Sequence, residues 1–309
     1  MVDPAALMKI KSMELRAKAV VEGFWKGIHR SPYHGFSVEF TEYRQYAFGD
    51  DPRYIDWRVY ARSDRFYIKK FQDETNLRCH LLVDHSRSMD YASGDYSKSQ
   101  YAGTLAATLA YFLFTQGDAV GLATFDDRIR QYLPPRNRAS YLRRLLLALE
   151  TPPGGSATDL GPPLQQLAQM LTKRGLIVLV SDLLTSLDRL ERNLGYLCAG
   201  GHDVVVFHTL DPAELSFDFD QPALFRDIES QRDMFVDPSA AQKGYQRLLG
   251  SHLAKTRSIC QSLGIDYHLF ATDRPFDLAL LDFLQHRMRR RKRVRHMRGP
   301  GPGAGGRAV

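Results

Sequence analysis

Cysteine is scarce in this chain. Cys79, Cys198 and Cys260 are the only three among 309 residues, too few and too widely spaced for a disulfide framework or a thiolate metal site, and an odd, sparse set fits a reducing compartment. Long apolar runs are missing as well. The longest, about Leu105 to Phe114, falls well short of the roughly 20 residues that a membrane-spanning helix needs. Lys9, Lys11, Glu14, Arg16 and Lys18 interrupt the first thirty residues and exclude an apolar signal core there. A cytoplasmic protein is therefore expected, peripheral to a membrane only through a partner or its tail. Familiar catalytic signatures are absent: no Gly-x-x-x-x-Gly-Lys phosphate loop, no His-Glu-x-x-His and no Gly-x-Ser-x-Gly.

Charge of one sign is also missing from most of the chain. The formal net charge is +7, but residues 289–298 carry seven Lys/Arg and no acid, so the remainder is neutral overall. Basicity is a property of this tail and implies no basic nucleic-acid-binding face on the body. The tail itself is a candidate contact for an anionic polymer or lipid, in a salt-dependent way. A solvated extension of the last helix is the plainer reading, because no aromatic residue interleaves the charges. The Gly/Pro-rich residues 299–309 that follow read as disordered.

What the chain does have is a run of strands and helices. Asp3-Pro4 reads as a helix start, and Leu7, Ile10, Val20, Val21 and Phe24 continue it as one amphipathic helix to about Lys26. Phe36, Val38 and Phe40 alternate with polar residues as a half-buried strand, and Arg65 to Phe71 reads as another. From residue 77 onward the apolar runs 77–83, 119–125, 175–181, 203–210 and 265–271 alternate with helical segments 97–116, 138–150, 159–173, 187–199, 240–263 and 276–288. A short edge strand is expected at 128–133, with Pro134-Pro135 breaking the chain after it. Two short strands are expected at 224–228 and 233–236, inside an insertion at 211–237.

Uninterrupted Val/Ile/Leu strands separated by helices indicate a parallel sheet covered on both faces. The expected fold is α/β: a doubly wound, mostly parallel, Rossmann-like sheet flanked by helices, with a small β-rich N-terminal appendage. The corresponding divisions are an N-terminal helix (1–29), a β-rich segment (30–76), the α/β domain (77–288) and the basic tail (289–309).

The chemistry concentrates where strands end. The strand Leu81-Leu82-Val83 stops at Asp84, and Ser86 and Ser88 follow at alternate positions. In open α/β sheets the binding crevice lies beyond the carboxyl ends of the strands. Asp182 follows the strand 175–181 at the same edge, and Thr158-Asp159 lies in a Gly-rich loop expected there too. Hydroxyls and carboxylates are hard oxygen donors that suit Mg²⁺, or another divalent cation such as Mn²⁺ or Ca²⁺, with retained waters. The plainer reading is that Ser86 or Ser88 caps the next helix.

Asp84-x-Ser86-x-Ser88, Thr158 and Asp182 resemble the metal-ion-dependent adhesion site of von Willebrand factor A-like domains. The loop Gly154-Gly155-Ser156-Ala157-Thr158-Asp159 is longer than the usual Gly-Gly-Thr-Asp pattern, which makes Ser156 an alternative donor to Thr158. A second stretch is more specific. Glu39-Phe40, Arg44-x-Tyr46, Gly49-Asp50-Asp51-x-Arg53-x-Ile55-Asp56-Trp57 and Ala61-Arg62 resemble the signature of the bacterial family called domain of unknown function 58. The resemblance implies a von Willebrand factor A-like sheet flanked by helices, a Mg²⁺ site and association with MoxR-type AAA+ ATPases, but supplies no biochemical role. Two neutral serine ligands leave the metal's charge only partly offset and a position open to an acidic residue of a protein partner, and the expected role is to act beside such an ATPase in protein assembly or maturation. Read from the residues alone, Arg44, Arg53 and Arg62 beside Asp50, Asp51 and Asp56, with Trp57, form either a contact surface or a buried ion-pair network that fixes a connection. A metal-dependent hydrolase using Asp84 and Asp182, or the Asp50/Asp51/Asp56 cluster, is the enzymatic alternative. Two-metal phosphoryl chemistry needs several converging carboxylates, and the expected edge supplies only Asp84 and Asp182, so a non-enzymatic interaction module is the leading expectation.

Overall fold

The computed structural model describes residues 3–30, 43–45, 67–69, 77–152, 160–219, 221–226 and 232–284. The expected strand at 36–40 lies outside these residues, as does the tail at 289–309. The centre is a six-stranded sheet of β3 (Arg78–Asp84), β4 (Ala119–Phe125), β5 (Ile129–Arg136), β6 (Leu176–Ser181), β7 (Asp203–Leu210) and β10 (Asp266–Ala271). Its order is β10-β7-β6-β3-β4-β5. All neighbours are parallel except β4 and β5, which pair antiparallel at one edge. The doubly wound α/β architecture read from the sequence is therefore the one observed.

Side chains that alternate along each strand bury both faces. Cys79, Leu81 and Val83 of β3 join one core cluster, while Leu82 joins the other with Ile177 and Leu179 of β6. The first cluster is covered by α3 (Lys98–Thr115) and α4 (Ala139–Leu149), by a helical segment at 276–284, and by α2 (Met13–Arg30) outside them. The second is covered by α5 (Gly161–Met170), α6 (Leu187–Ala199) and α8 (Pro238–Ser262). Each fully buried Leu or Val contributes about 1.5–3 kcal/mol from transfer out of water, so a strand with six buried residues of seven, as in β3, is fixed in register. α3 is apolar nearly all round because the sheet lies on one side and α2 on the other. Its alanines let both approach, and Trp25 of α2 stacks on Phe112 with ring centroids 5.8 Å apart.

The N-terminal stretch is two helices rather than one. α1 (Pro4–Met8) ends at Lys9, and α2 begins at Met13. Arg16 explains the break: its guanidinium donates to the carbonyl oxygens of Met8 and Ile10, which are the orphan acceptors left at a helix end. Periodicity alone does not reveal that tertiary cap. Two small strands, β1 (Tyr43–Gln45) and β2 (Tyr67–Lys69), pair antiparallel. β2 falls within the expected strand 65–71, whereas β1 lies in a stretch that carried no strand expectation.

Pro134 and Pro135 do not break the chain. β5 runs through both to Arg136. The ladder with β4 is irregular at that point, stepping from Val120↔Arg136 to Leu122↔Leu133, so the two prolines occupy a bulge on an edge strand, where a missing N–H is tolerated. Gly121 sits opposite. A Cβ there would lie 2.6 Å from the Leu133 oxygen and 2.8 Å from the Pro135 nitrogen.

The insertion holds a short helix, α7 (Pro212–Ser216), which the sequence did not suggest, and a hairpin of β8 (Ala223–Arg226) and β9 (Asp233–Val236). Phe217, Phe219, Phe225 and Tyr245 of α8 form an aromatic cluster that anchors the hairpin. Its cross-strand pair Leu224 and Phe235 is exposed to solvent. Among the described residues, no helix is long and apolar enough to cross a membrane.

Two measurements test this account. Gly121→Ala forces backbone atoms of the bulge apart and is expected to cost about 1–3 kcal/mol in urea unfolding; an unchanged midpoint would contradict the close approach. His80 on β3 is buried, and burial, followed by the charges of His202 and Arg78, pushes its pKa down to about 4. The unfolded chain therefore binds a proton that the folded chain refuses between about pH 6.5 and 4, and stability is lost as pH falls through that window. His80→Gln should make the stability-versus-pH slope there shallower by about 1.4 kcal/mol per pH unit. Parallel slopes for the two proteins would rule out a buried neutral His80.

Candidate functional site

β3 and β6 are parallel neighbours, with Val83 opposite Val180, so the residues that follow them emerge side by side at the carboxyl edge of the sheet. Asp84 ends β3 fully buried. Its Oδ1 accepts the Ser86 N–H at 2.8 Å, and its Oδ2 accepts the Ser181 hydroxyl at 2.6 Å. The loop is tied to β4 by the His85 N–H donating to the Phe125 carbonyl at 2.7 Å. A 3₁₀ turn, Arg87–Asp90, follows. Ser86 occupies its N-cap position without a side-chain capping bond. Instead its hydroxyl lies 3.1 Å from that of Ser88, and both serines are buried. The helix-cap reading of these serines therefore fails for Ser86.

Asp182 follows β6 and is fully buried. The chain turns sharply after it. Leu183 has φ +51°, a left-handed conformation that is strained for a bulky residue. The turn is held by the Leu183 N–H donating to Ser181 Oγ at 3.0 Å and the Leu184 N–H to Asp182 Oδ1 at 3.3 Å. Ser181 thus acts twice, accepting from the turn after Asp182 and donating to Asp84.

Two participants were not read from the sequence. Lys98, the first residue of α3, is fully buried, and its Nζ lies 2.8 Å from Asp182 Oδ2 and 2.7 Å from Glu214 Oε1. Burial alone would lower the pKa of this ammonium, but the carboxylates of Asp182 and Glu214 outweigh it and hold the pKa above the ordinary lysine value. Glu214 belongs to α7 and completes a capping box: its Oε2 accepts the Asp211 N–H at 2.8 Å, while Asp211 Oδ1 accepts the Ala213 N–H at 2.9 Å. Asp211 also binds the loop after the 3₁₀ turn, accepting from the Ser93 hydroxyl and from the Ser93 N–H at 3.0 Å. One signal was available: the Ser97-x-x-Gln100 capping box places Lys98 in a first helical turn, where a basic residue opposes the helix dipole.

The electrostatics are unbalanced. Burial, then the charge of Asp182, pushes the Asp84 carboxyl up to about 7, against the hydrogen bonds from Ser181 and Ser86. Lys98 links Asp182 to Glu214, and Asp211 sits beside Glu214 in the same capping box. Adjacent vertices of a Mg²⁺ octahedron, with ligands at about 2.1 Å, lie about 3.0 Å apart, close to the 3.1 Å between the Ser86 and Ser88 hydroxyls. Two neutral hydroxyls beside an acid are hard donors, and the donor set fits a hard divalent cation.

Of the residues singled out in the sequence, Asp84, Ser86, Ser88 and Asp182 converge. Thr158, with Ser156 and Asp159, lies outside the described residues. So do Asp50, Asp51, Arg53, Asp56, Trp57 and Arg62, while Arg44 falls on β1.

A doubly wound α/β domain with an acid–hydroxyl loop at the carboxyl edge of its central strand is the class that fold and site define. Residues 42–254 match the family described as protein of unknown function DUF58, and the chain belongs to that family. It is 26% identical over 292 residues to the uncharacterized protein Rv1480 of Mycobacterium tuberculosis, covering 93% of this chain and 91% of that one. The uncharacterized protein Mb1516 of Mycobacterium bovis matches to the same extent. Among solved structures, it is similar to the conserved hypothetical protein BatB from Bacteroides thetaiotaomicron, with a TM-score of 0.48, 14% identity and coverage of 68% of this chain and 98% of that one. It is also similar to the VWA domain of SpRpn10, with a TM-score of 0.36, 16% identity and coverage of 43% and 75%.

Asp211→Ala removes the α7 cap and the Ser93 anchor together. The expected loss is about 2 kcal/mol in urea unfolding, with faster amide exchange at 212–216. A loss below about 0.5 kcal/mol would show that α7 is held otherwise.

Proposed function

We propose that this protein is a non-enzymatic, metal-dependent protein-interaction module. The observation that supports it best is the placement of the two Ser86 and Ser88 hydroxyls beside the fully buried Asp84 at the carboxyl edge of the parallel sheet. Asp84, Ser86 and Ser88 would hold Mg²⁺, or Mn²⁺ or Ca²⁺ in its place. Asp182 stands behind them, and Thr158 is the further donor implied by resemblance. When bound, the ion supplies a Lewis-acidic position for an oxygen ligand. The protein's own part is to present neutral hydroxyls, so that the ion's charge is only partly offset and an acidic side chain from a partner is attracted.

The sheet edge suits this role because three of the residues leave it on separate, well-anchored supports: Asp84 on β3, Asp182 on β6, and Lys98 on α3. Family resemblance makes a MoxR-type AAA+ ATPase the partner to test first, with a role in protein assembly or maturation.

Calorimetric titration of Mg²⁺ into the purified protein tests the first half of the reading: binding is expected for the wild type and is expected to disappear in Asp84→Ala. A pull-down from the native cell, with Mg²⁺ or with a chelator, tests the second. Capture that persists unchanged in chelator, or in Asp84→Ala, would overturn the proposal.

A further inference from the structure

Lys98 stands at a place that costs stability in two ways. It is the first residue of an α-helix, where the dipole disfavours a cation, and its side chain is fully buried, where an unpaired charge is not tolerated. It is nonetheless held by two carboxylates, at 2.8 and 2.7 Å, and both belong to other elements of the fold. An apolar side chain would fill the same position without a desolvation penalty, and breaking such a pair would be costly while replacing all of it need not be.

Asp182 links Lys98 to the candidate metal ligands. The ammonium pairs with Asp182 and Glu214, and Asp182 also acts electrostatically on Asp84. Without Lys98, Asp182 would be free to turn its charge toward an ion held at Asp84, Ser86 and Ser88. Like charges within a few ångströms in a buried setting repel strongly, so an ammonium on Asp182 weakens the attraction for the ion. The ammonium also keeps Asp182 and Glu214 neutralised when no ion is present.

We propose that Lys98 is a tethered cation that shares Asp182 with the bound metal ion, lowering the site's metal affinity and holding the site together in the ion's absence. The proposal rests on the metal-binding reading above and specifies how that site is tuned. Lys98 is a positioning residue in this scheme, acting on the metal through Asp182. Glu214 fixes the lysine from the far side, and because Glu214 caps α7, the tuning group is also bound to the insertion that carries the exposed hairpin.

Mg²⁺ titration of the full chain tests this, comparing wild type, Lys98→Met, and Lys98→Met/Glu214→Gln, with Asp84→Asn as the control for the site itself. The double variant strands one carboxylate fewer and guards against a single variant that does not fold. Removing the lysine is expected to tighten Mg²⁺ binding by at least about tenfold. The variants should also melt earlier than wild type in chelator and gain more than wild type when Mg²⁺ is added. A lysine that merely pins α3 to the sheet would leave the affinity equal or make it weaker, and that result overturns the proposal while leaving the metal site standing. If no protein binds Mg²⁺ and Asp84→Asn behaves as wild type, the metal reading falls, and this inference with it. Should neither lysine variant fold, the wild type still decides: the Lys98 side-chain ¹³Cε resonance must move on Mg²⁺ addition and stay still in Asp84→Asn. An unmoved resonance with Mg²⁺ bound refutes the sharing of Asp182.

Discussion

The structure turns on a concentration of like charge in a place with almost no water. Asp84 and Asp182, both fully buried, approach one another at the carboxyl edge of a sheet whose strands are buried on both faces. A parallel sheet makes such an edge unavoidable, since every strand must leave the core there and hand its chain to a loop. What distinguishes this edge is that four adjacent strands, β7, β6, β3 and β4, leave it on buried carboxylates: Asp211, Asp182, Asp84 and Asp126. Everything nearby serves to satisfy them: Ser181 bridges the two turns, the Ser86 N–H caps Asp84, and Lys98 is drawn to the start of α3 against the helix dipole. Short secondary elements that would otherwise have little to hold them, α7 above all, are fixed by the same network.

The sheet was the most legible part of the chain. Runs such as Leu176–Ser181 are apolar without interruption, and only a strand covered on both faces needs that pattern. The ends of those runs located Asp84 and Asp182 for the same reason. Legibility failed where a local signal was overridden by a distant partner. Pro134 and Pro135 announce a break, yet the edge position and the bulge opposite Gly121 let β5 pass through them. Leu7 to Phe24 keep helical spacing, yet Arg16 folds back to end α1. Lys98 was hidden because its partners lie 84 and 116 positions away in sequence, and no window of local sequence contains them.

Site and fold are thus coupled more tightly than in a domain whose binding residues project from a rim. The loop after β3 carries the hydroxyls, but its geometry depends on the hydroxyl of Ser181 and, through Ser93 and Asp211, on an insertion more than a hundred residues later. A substitution in α7 that never touches the serines alters the charges around them. The aromatic cluster of Phe217, Phe219, Phe225 and Tyr245 belongs to the same unit, since Tyr245 donates to the Glu214 carbonyl at 2.8 Å.

The chain order of these charges has a consequence for biosynthesis. Asp84 and Lys98 leave the ribosome early, Asp182 follows, and Glu214 arrives only after the first five strands of the central sheet have been made. Until α7 and then α8 are complete, a nascent chain presents Lys98 with one of its two counter-ions and an edge strand, β7, still waiting for β10. Domains of this topology depend on contacts between distant segments, and these close late because loop entropy must be overcome first. The acidic edge is therefore among the last parts of the molecule to reach its final form, and a chain cut short before α7 would carry Lys98 and Asp182 but lack Glu214, the carboxylate that fixes the lysine from the far side.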